Sequence, residues 1–430
     1  MSEKAEKIFI FISLSAIYFF SIVHRVGISV VAENMISEFS STATLTGLMS
    51  SAYFWSYAAA QIPVGIALDR TGVHNTIGVF GILAIIGNLT FAIGPTIGIV
   101  TLGRAMVGFG VGGFYVSCLK ALAKYFDPAR FATLTGLLTA FGNFGAFFAS
   151  APLALISVNL GGWRPAYLVI FAAMTIFIIL AWVSLRHEPP VEKTMGQNIF
   201  KDLKTVFSYK QFLIIMMIPF LGYGVYISFQ GLWVGPFLHD VYGFNTATIG
   251  FFLTFISIGF IFSSPLGGYL SDKVLKKRRP VLMAGLGMSF IFWLLLITTG
   301  GSLSTIQLIA MFLLIGFATG FIYVFMSMSK ELFPEKISGV GIASFNQFNF
   351  IGGGFFEFFM GFVLDLTYGG TMGFPAYQLV FIISAISLGI AMVLTYVAKE
   401  TFGGQAMDSR SQPETNQIES PITDTGDSPL

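Results

Sequence analysis

The first residue in this chain whose chemistry demands an explanation is Arg25, because it interrupts an apolar run, 8–32, long enough to cross a bilayer. A charged side chain near mid-bilayer costs roughly 2.5 to 3.5 kcal/mol on insertion scales, so such groups face a cavity or a partner. Tyr18, Ser21, Arg25 and Ser29 recur at three- and four-residue spacing and share one helical face. That face reads as cavity-lining, and a fixed guanidinium within it suits an anion. The alternative is an arginine slightly outward of the middle that snorkels to the outer interface.

Other polar positions fall inside apolar runs. In 337–364, Asn346, Asn349, Gly353 and Glu357 share a face and set an acid among Phe355, Phe356, Phe358 and Phe359. Glu357 is the proton-coupling candidate of the second half; the other reading is an outer-end carboxylate that meets water. His24, beside Arg25, titrates near neutrality and is a second proton candidate, or else a hydrogen-bonded cavity or interface residue. In 210–238, Tyr223, Tyr226, Gln230 and Trp233 make a stripe of hydroxyl, amide and indole donors suited to a hydroxylated or carboxylated solute; an aromatic girdle at the membrane interface is the alternative. In 98–124, Arg104 and Lys120 lie on nearly opposite faces and form no common clamp. Arg104, in line with Gly108, Gly112 and Tyr115, fits packing and coupling; Lys120, in line with Gly113 and Ser117, faces an inner cavity or snorkels. Asn143 and Ser327 are secondary contacts or structural polar residues.

The elements that carry these residues follow from composition. A hydrophobic share of 55% with only 10% charged residues excludes a soluble domain of 430 residues. One cysteine, Cys118, excludes an internal disulfide, and no nucleotide loop, metal-ligand cluster or nucleophile constellation is present, so no enzyme, cofactor or nucleic-acid partner is expected. Lys4 and Lys7 precede the first run without a cleavage motif, which makes that run a retained helix. Twelve runs are long enough to span. They divide into an N-terminal bundle (1–187), a cytoplasmic linker (188–209), a C-terminal bundle (210–399) and a polar tail (400–430) expected to be disordered. Of the 23 Lys and Arg, all but Arg25, Arg104, Lys120 and Arg164 fall in the N-terminus, the even-to-odd connections or the tail, placing both termini in the cytoplasm. Gly47 and Gly250, Gly65 and Gly268, Asp69 and Asp272, and Arg70 and Lys273 are all separated by 203 residues, an internal repeat. The runs Gly-Gly-Phe-Tyr-Val (112–116) and Gly-Phe-Ile-Tyr-Val (320–324) match with a small drift.

The stretch 65–72, GIALDRTG, resembles the loop between helices 2 and 3 of the major facilitator superfamily, and 268–273, GYLSDK, its weaker second copy. The segment 102–113 is similar to the family's helix 4, and 161–168 to the start of its helix 6. The resemblance implies an all-α membrane fold of twelve transmembrane helices in two pseudo-symmetric six-helix bundles. It also implies a gating cluster of Gly65, Asp69, Arg70, Arg130, Gly268, Asp272 and Lys273 that latches the cytoplasmic side, with Asp69 meeting Arg130 and the start of the eleventh helix near Lys336; a plain turn and topology role is the alternative. Residues 18–32 resemble helix 1 of the anion:cation symporters and organophosphate transporters, in which an arginine at the position of Arg25 binds the substrate's anionic group, and 121–136 resembles the end of their helix 4, which makes Lys120 the match of a basic residue there. Two departures matter. Ser228 stands where organophosphate relatives carry a second arginine, which favours a carboxylate over a phosphate, and His24 stands where sugar-acid symporters often carry an acid. The resulting expectation is a monomeric transporter of the inner membrane that moves a small organic anion (a carboxylate or sugar acid) with protons by alternating access. Proton-coupled efflux of amphipathic compounds and transport of peptides or siderophores are the alternatives.

Overall fold

A computed structural model describes residues 3–127, 130–188, 199–367 and 373–403; most of the linker and nearly all of the expected tail lie outside them. Span 1 is Glu3–Val26, extended past Gly27 by Ile28–Phe39. Spans 2 and 3 are the continuous run Ala43–Ile93, folded back at Gly72. Span 4 joins Ile97–Val111 to Phe114–Tyr125, span 5 joins Phe131–Phe148 to Ala151–Asn159, and span 6 is Trp163–Ser184. A short helix, Ile199–Ser208, leads to the second half. There, span 7 is Lys210–Tyr242, span 8 Thr246–Val274 and span 9 Arg279–Thr299. Span 10 joins Thr305–Ile322 to Phe325–Glu331, span 11 is Glu335–Thr367 and span 12 Phe374–Val397. Among the described residues ten helices are long and apolar enough to cross a membrane, and span 5, bent by 44°, makes an eleventh if its two parts are one span. The expected twelve is reached because Gly72, at φ 82°, divides the run of 51 residues into two spans. Only a glycine holds that backbone without strain, which is what the Arg-Thr-Gly turn supplies.

Local chemistry sets the ends. On the face away from the termini, Thr42, Thr96 and Asn245 accept the backbone N–H three residues on, and Ser304 closes a capping box with Gln307. On the terminus-bearing face, distant carboxylates do the same work. Glu188 accepts from Val73 N (3.0 Å) and His74 N (2.7 Å) at the start of span 3, and Glu400 from Arg278 N (2.8 Å) and Arg279 N (3.1 Å) at the start of span 9. Each sets a negative charge against the positive end of a helix dipole. Side chains such as Ile82, Ile176 and Val393 face outward with apolar surface, as lipid-facing residues do.

The spans that open each three-helix quarter are all interrupted. Span 1 breaks at Gly27, span 4 at Gly112 and Gly113, span 7 at a π-turn over Phe229–Trp233, and span 10 at Tyr323 and Val324. Gly27 has a steric cause, since a Cβ there would lie 2.8 Å from Val23 O and 3.0 Å from the Tyr167 hydroxyl. The four interrupted spans meet at the middle of the bundle.

Candidate functional site

One side chain from each interrupted span meets at that centre: Tyr18, Tyr115, Tyr223 and Tyr323. Tyr18 and Tyr115 pack at 4.9 Å between ring centroids, and Tyr223 and Tyr323 at 5.9 Å. Arg25 lies among them and borders two small cavities. The first, about 20 Å³, includes Asn143, Tyr226, Gln230 and Ser257; the second, about 30 Å³, includes Ser21, Asn346, Asn349 and Phe350. Each has room for a water but not for an organic acid, so a solute enters only if the lining moves apart. Among the described residues no carboxylate pairs with Arg25: its electrostatic neighbours are Tyr223, Tyr18, Tyr53 and Tyr323, and its Nε is buried without a partner. Phe350 stands under the guanidinium at 5.9 Å and stacks on Tyr57 at 4.0 Å.

The structure thus brings together Arg25, Tyr18, Ser21, Tyr223, Tyr226, Gln230, Asn346 and Asn349. Three expected neighbours are elsewhere. Lys120 does not face this cavity: its Nζ donates to Asp69 Oδ1 (2.7 Å) and to Leu68 O (2.9 Å), because a long stem one turn from the end of span 4 reaches the carbonyl end of span 2. Trp233 leaves the stripe because the π-turn breaks its register, and its indole donates instead to Glu357 O at 3.0 Å. Ser29, beyond the break at Gly27, accepts the N–H of Gly235 at 3.0 Å. Sequence reasoning passed over Tyr53, Tyr57 and Tyr323. The last was within reach, since the matched Tyr115 and Tyr323 hold the same place in the internal repeat.

Behind the cavity lies a second polar group. His24 is fully enclosed, points to the Tyr167 ring at 5.8 Å and has no hydrogen bond from either ring nitrogen. Its carbonyl accepts from Arg104 Nη1 at 2.7 Å, and Arg104 also lies 4.7 Å over the Tyr53 ring. Glu357 of span 11 is electrostatically coupled to Arg104 across the boundary between the halves. Neither carboxylate oxygen makes a hydrogen bond of standard geometry, although the Ser50 hydroxyl faces them. A Cβ on Gly231 of span 7 would lie 2.9 Å from Glu357 Oε1, and one on Gly47 of span 2 would lie 2.5 Å from its carbonyl.

The residues expected to gate are arranged asymmetrically. On the face away from the termini the halves are joined: Asp365 accepts from Ala43 N (3.0 Å) and Thr44 N (2.8 Å), Thr246 reaches Asn34 (3.3 Å), and His239 lies between Glu33 (3.5 Å) and Asp240 (3.2 Å). The seam of spans 2 and 11 continues inward to Gln347, which donates to Ala58 O at 3.1 Å. Nearer the termini, pairing stays within each half. Asp69 is held by Lys120 and not by Arg130, and Asp272 by Arg278, which also binds Glu331 at 2.5 Å. No cross-half pair of Arg70 or Lys273 occurs among the described residues, and the side chain of Lys336 lies outside them. Close helix packing at Gly65 and Gly268 is not seen in this conformation, where an added Cβ at either would meet open space.

Comparison with known proteins agrees with this architecture. The model of the Major Facilitator Superfamily matches residues 14–357. The uncharacterized transporter YybO of Bacillus subtilis is 27% identical over 84% of this chain and 88% of its own. The probable sulfoacetate transporter SauU of Cupriavidus necator is 23% identical over 64% and 69%, and the hexuronate transporter of Bacillus subtilis 25% over 70% and 74%. Among solved structures, an inward-facing, unoccupied bacterial homolog of the human lysosomal transporter Spinster superposes with TM-score 0.74 at 19% identity (91% of this chain, 97% of that one). The D-xylose–proton symporter superposes with TM-score 0.72 at 15% identity (93% and 99%).

Proposed function

Because the chain belongs to the Major Facilitator Superfamily, and is therefore a multi-pass membrane transporter and not an enzyme, we propose that it moves a small organic anion, a carboxylate or sugar acid, together with protons. The observation that carries this reading is the guanidinium of Arg25, set between the halves with phenol and amide groups about it and, among the described residues, no carboxylate to neutralise it. A cation kept at such cost without a counter-ion is a site for one arriving from outside. Tyr18, Ser21, Tyr223, Tyr226, Gln230, Asn346 and Asn349 supply hydroxyl and amide contacts for the rest of the solute. Two relatives whose names specify a sulfoacetate and a hexuronate substrate are consistent with that chemistry.

Alternating access supplies the mechanism. With the terminus-bearing face taken as cytoplasmic, from its surplus of Lys and Arg, the contacts between the halves support a reading in which this conformation is closed to the outside and unlatched inside. Asp69 and Asp272, now held by their own halves, would exchange partners when the inner side closes. Glu357 and Arg104, between span 11 and span 4, are the proton-coupling pair, with His24 shaping the pocket behind them. One proton carried with a monovalent anion moves no net charge, and a second adds roughly 2.3 kcal/mol of drive per 100 mV.

The test is uptake into proteoliposomes of radiolabelled hexuronates, short carboxylates and sulfonates, with and without an inward proton gradient. Arg25→Ala is expected to abolish anion uptake, and Arg25→Lys to retain a fraction, since the ammonium keeps the charge and loses the planar fork. If lipophilic cations are the substrates and Arg25→Ala leaves them unchanged, the anion reading is wrong.

A further inference from the structure

On the face away from the termini, the extension of span 1 and the end of span 7 run side by side from opposite halves, and one contact pins them. Ser29 Oγ accepts the N–H of Gly235 at 3.0 Å, and a Cβ on Gly235 would overlap the Ser29 carbonyl, so the backbones meet as only a glycine allows. One turn further along each helix stand Glu33 and His239, which i to i+4 spacing sets above that contact. Asp240 follows. His239 Nδ1 lies 3.5 Å from Glu33 Oε2 and 3.2 Å from Asp240 Oδ1, and one ligand atom from each of the three residues falls within 4.8 Å of the other two. Chain order conceals this group, because Glu33 is more than 200 residues from the other two.

Hydrogen bonding does not satisfy the group. The nitrogen Nδ1 carries at most one hydrogen and faces two carboxylates. Asp240 has a second donor, the Tyr377 hydroxyl, at 2.6 Å from Oδ2, whereas Glu33 has no other hydrogen-bond or ion-pair partner among the described residues. Neither acid is paired there with Lys or Arg, and residues 368–372, between spans 11 and 12, contain no charged side chain. A divalent cation would serve all three residues at once. Ligands placed tetrahedrally at zinc's bond lengths of ~2.0–2.2 Å stand ~3.3–3.6 Å apart, close to the two separations observed. Tyr377 orients Asp240 from behind, as hydrogen-bonded partners of metal ligands do. His239 and Asp240 also lie in the last turn of Val234–Tyr242, at the negative end of its dipole. All three side chains are partly exposed, which lets the ion enter from water and leaves a position for a water ligand.

We propose that Glu33, His239 and Asp240 bind a divalent transition-metal ion of the zinc class, which ties the two halves together on this face. Because Glu33 belongs to the first half and the other two to the second, the full ligand set exists only while the halves touch here. The ion therefore stabilises that conformation by mass action. The imidazole selects against Mg2+, which takes oxygen ligands in an octahedron. The site requires neither the Arg25 cavity nor any transported solute.

The experiment titrates the full-length protein, purified without a histidine tag and stripped with chelator, with zinc chloride by isothermal titration calorimetry. One saturable site is expected, undisturbed by excess Mg2+. Glu33→Gln, His239→Asn and Asp240→Asn should each weaken it by at least about ten-fold, and Tyr377→Phe, which removes only the orienting hydroxyl, by about ten-fold. His239→Cys in a Cys118→Ser background should keep zinc binding, since a thiolate is also a zinc ligand, whereas a hydrogen-bonding role alone gives no such rescue. Spin labels at Ile93 of the first half and Ile306 of the second, both exposed, read the conformation. Zinc at about 100 times its Kd should raise the ratio of shorter- to longer-distance populations by up to about 100-fold, and should leave Glu33→Gln unmoved. The absence of a saturable zinc site, a Kd unchanged by Glu33→Gln, equal loss of zinc in His239→Cys and His239→Asn, or a distance distribution unmoved by saturating zinc would each overturn the proposal.

Discussion

Replacing Asp365 by asparagine tests whether the face away from the termini is held shut by the contacts described. The carboxylate accepts two backbone N–H groups at the first turn of span 2, from Ala43 at 3.0 Å and Thr44 at 2.8 Å, and these bonds exist only while the halves touch. Asparagine keeps one acceptor and turns an amide N–H toward the second donor. A hydrogen bond to a charged group contributes about 1.5–3 kcal/mol net, with a further 0.3–1 from the helix end. Because Asp365 is only partly buried, the lower part of that range applies, a loss of about 2 kcal/mol and a roughly 30-fold shift in the ratio of closed to open populations. Spin labels at Ile93 and Ile306, exposed at the far ends of spans 3 and 10, report the separation of the halves by double electron–electron resonance. Cys118→Ser provides the background, since a hydroxyl can keep the contact its thiol makes to Leu14 O. Asp365→Asn is expected to enlarge the longer-distance population. An unchanged distribution in a variant that remains folded would refute the reasoning.

Three further outcomes follow. Glu357→Gln should leave anion exchange across the membrane intact while abolishing accumulation driven by a pH gradient, measured in the same proteoliposomes; gradient-driven accumulation at the native level would remove Glu357 from the coupling. Burial raises the affinity of Glu188 for a proton, but the N–H groups of His74 and Val73 and the Lys124 ammonium outweigh it and hold its carboxyl below the usual range. Its contribution is therefore complete above the ordinary carboxylate pKa of about 4.5 and lost as pH falls through the lower folded value, so Glu188→Gln should lower Tm at pH 7 and flatten its decline in acid. Lys120→Gln should disturb Asp69 without changing the affinity for anion, as read by a binding titration against wild type.

The amino-acid sequence made the fold legible because bilayer thickness leaves few solutions: twelve apolar runs, an arginine inside the first and a repeat of 203 residues are together hard to satisfy otherwise. The central site was legible wherever a helix kept its register. Tyr18, Ser21 and Arg25 precede the break at Gly27 and share the cavity, whereas Ser29 follows it and does not. Trp233 was misplaced for the same reason, since the π-turn over Phe229–Trp233 shifts everything after Gln230. Lys120 and Arg130 were misplaced for another: a long cation near a helix end has several acids and carbonyls within reach, and spacing alone does not choose among them. The role of Asp365 was missed altogether, because its partners are backbone N–H groups more than 300 residues away that no side-chain pattern records.

The tyrosines at positions 18, 115, 223 and 323 are contributed one by each quarter of the molecule. A molecule gripped by all four registers every relative displacement of those quarters as a lost contact. Its binding constant is consequently a gauge of conformation, and no ligand that touches the whole ring can be held equally well on both sides of the transport cycle.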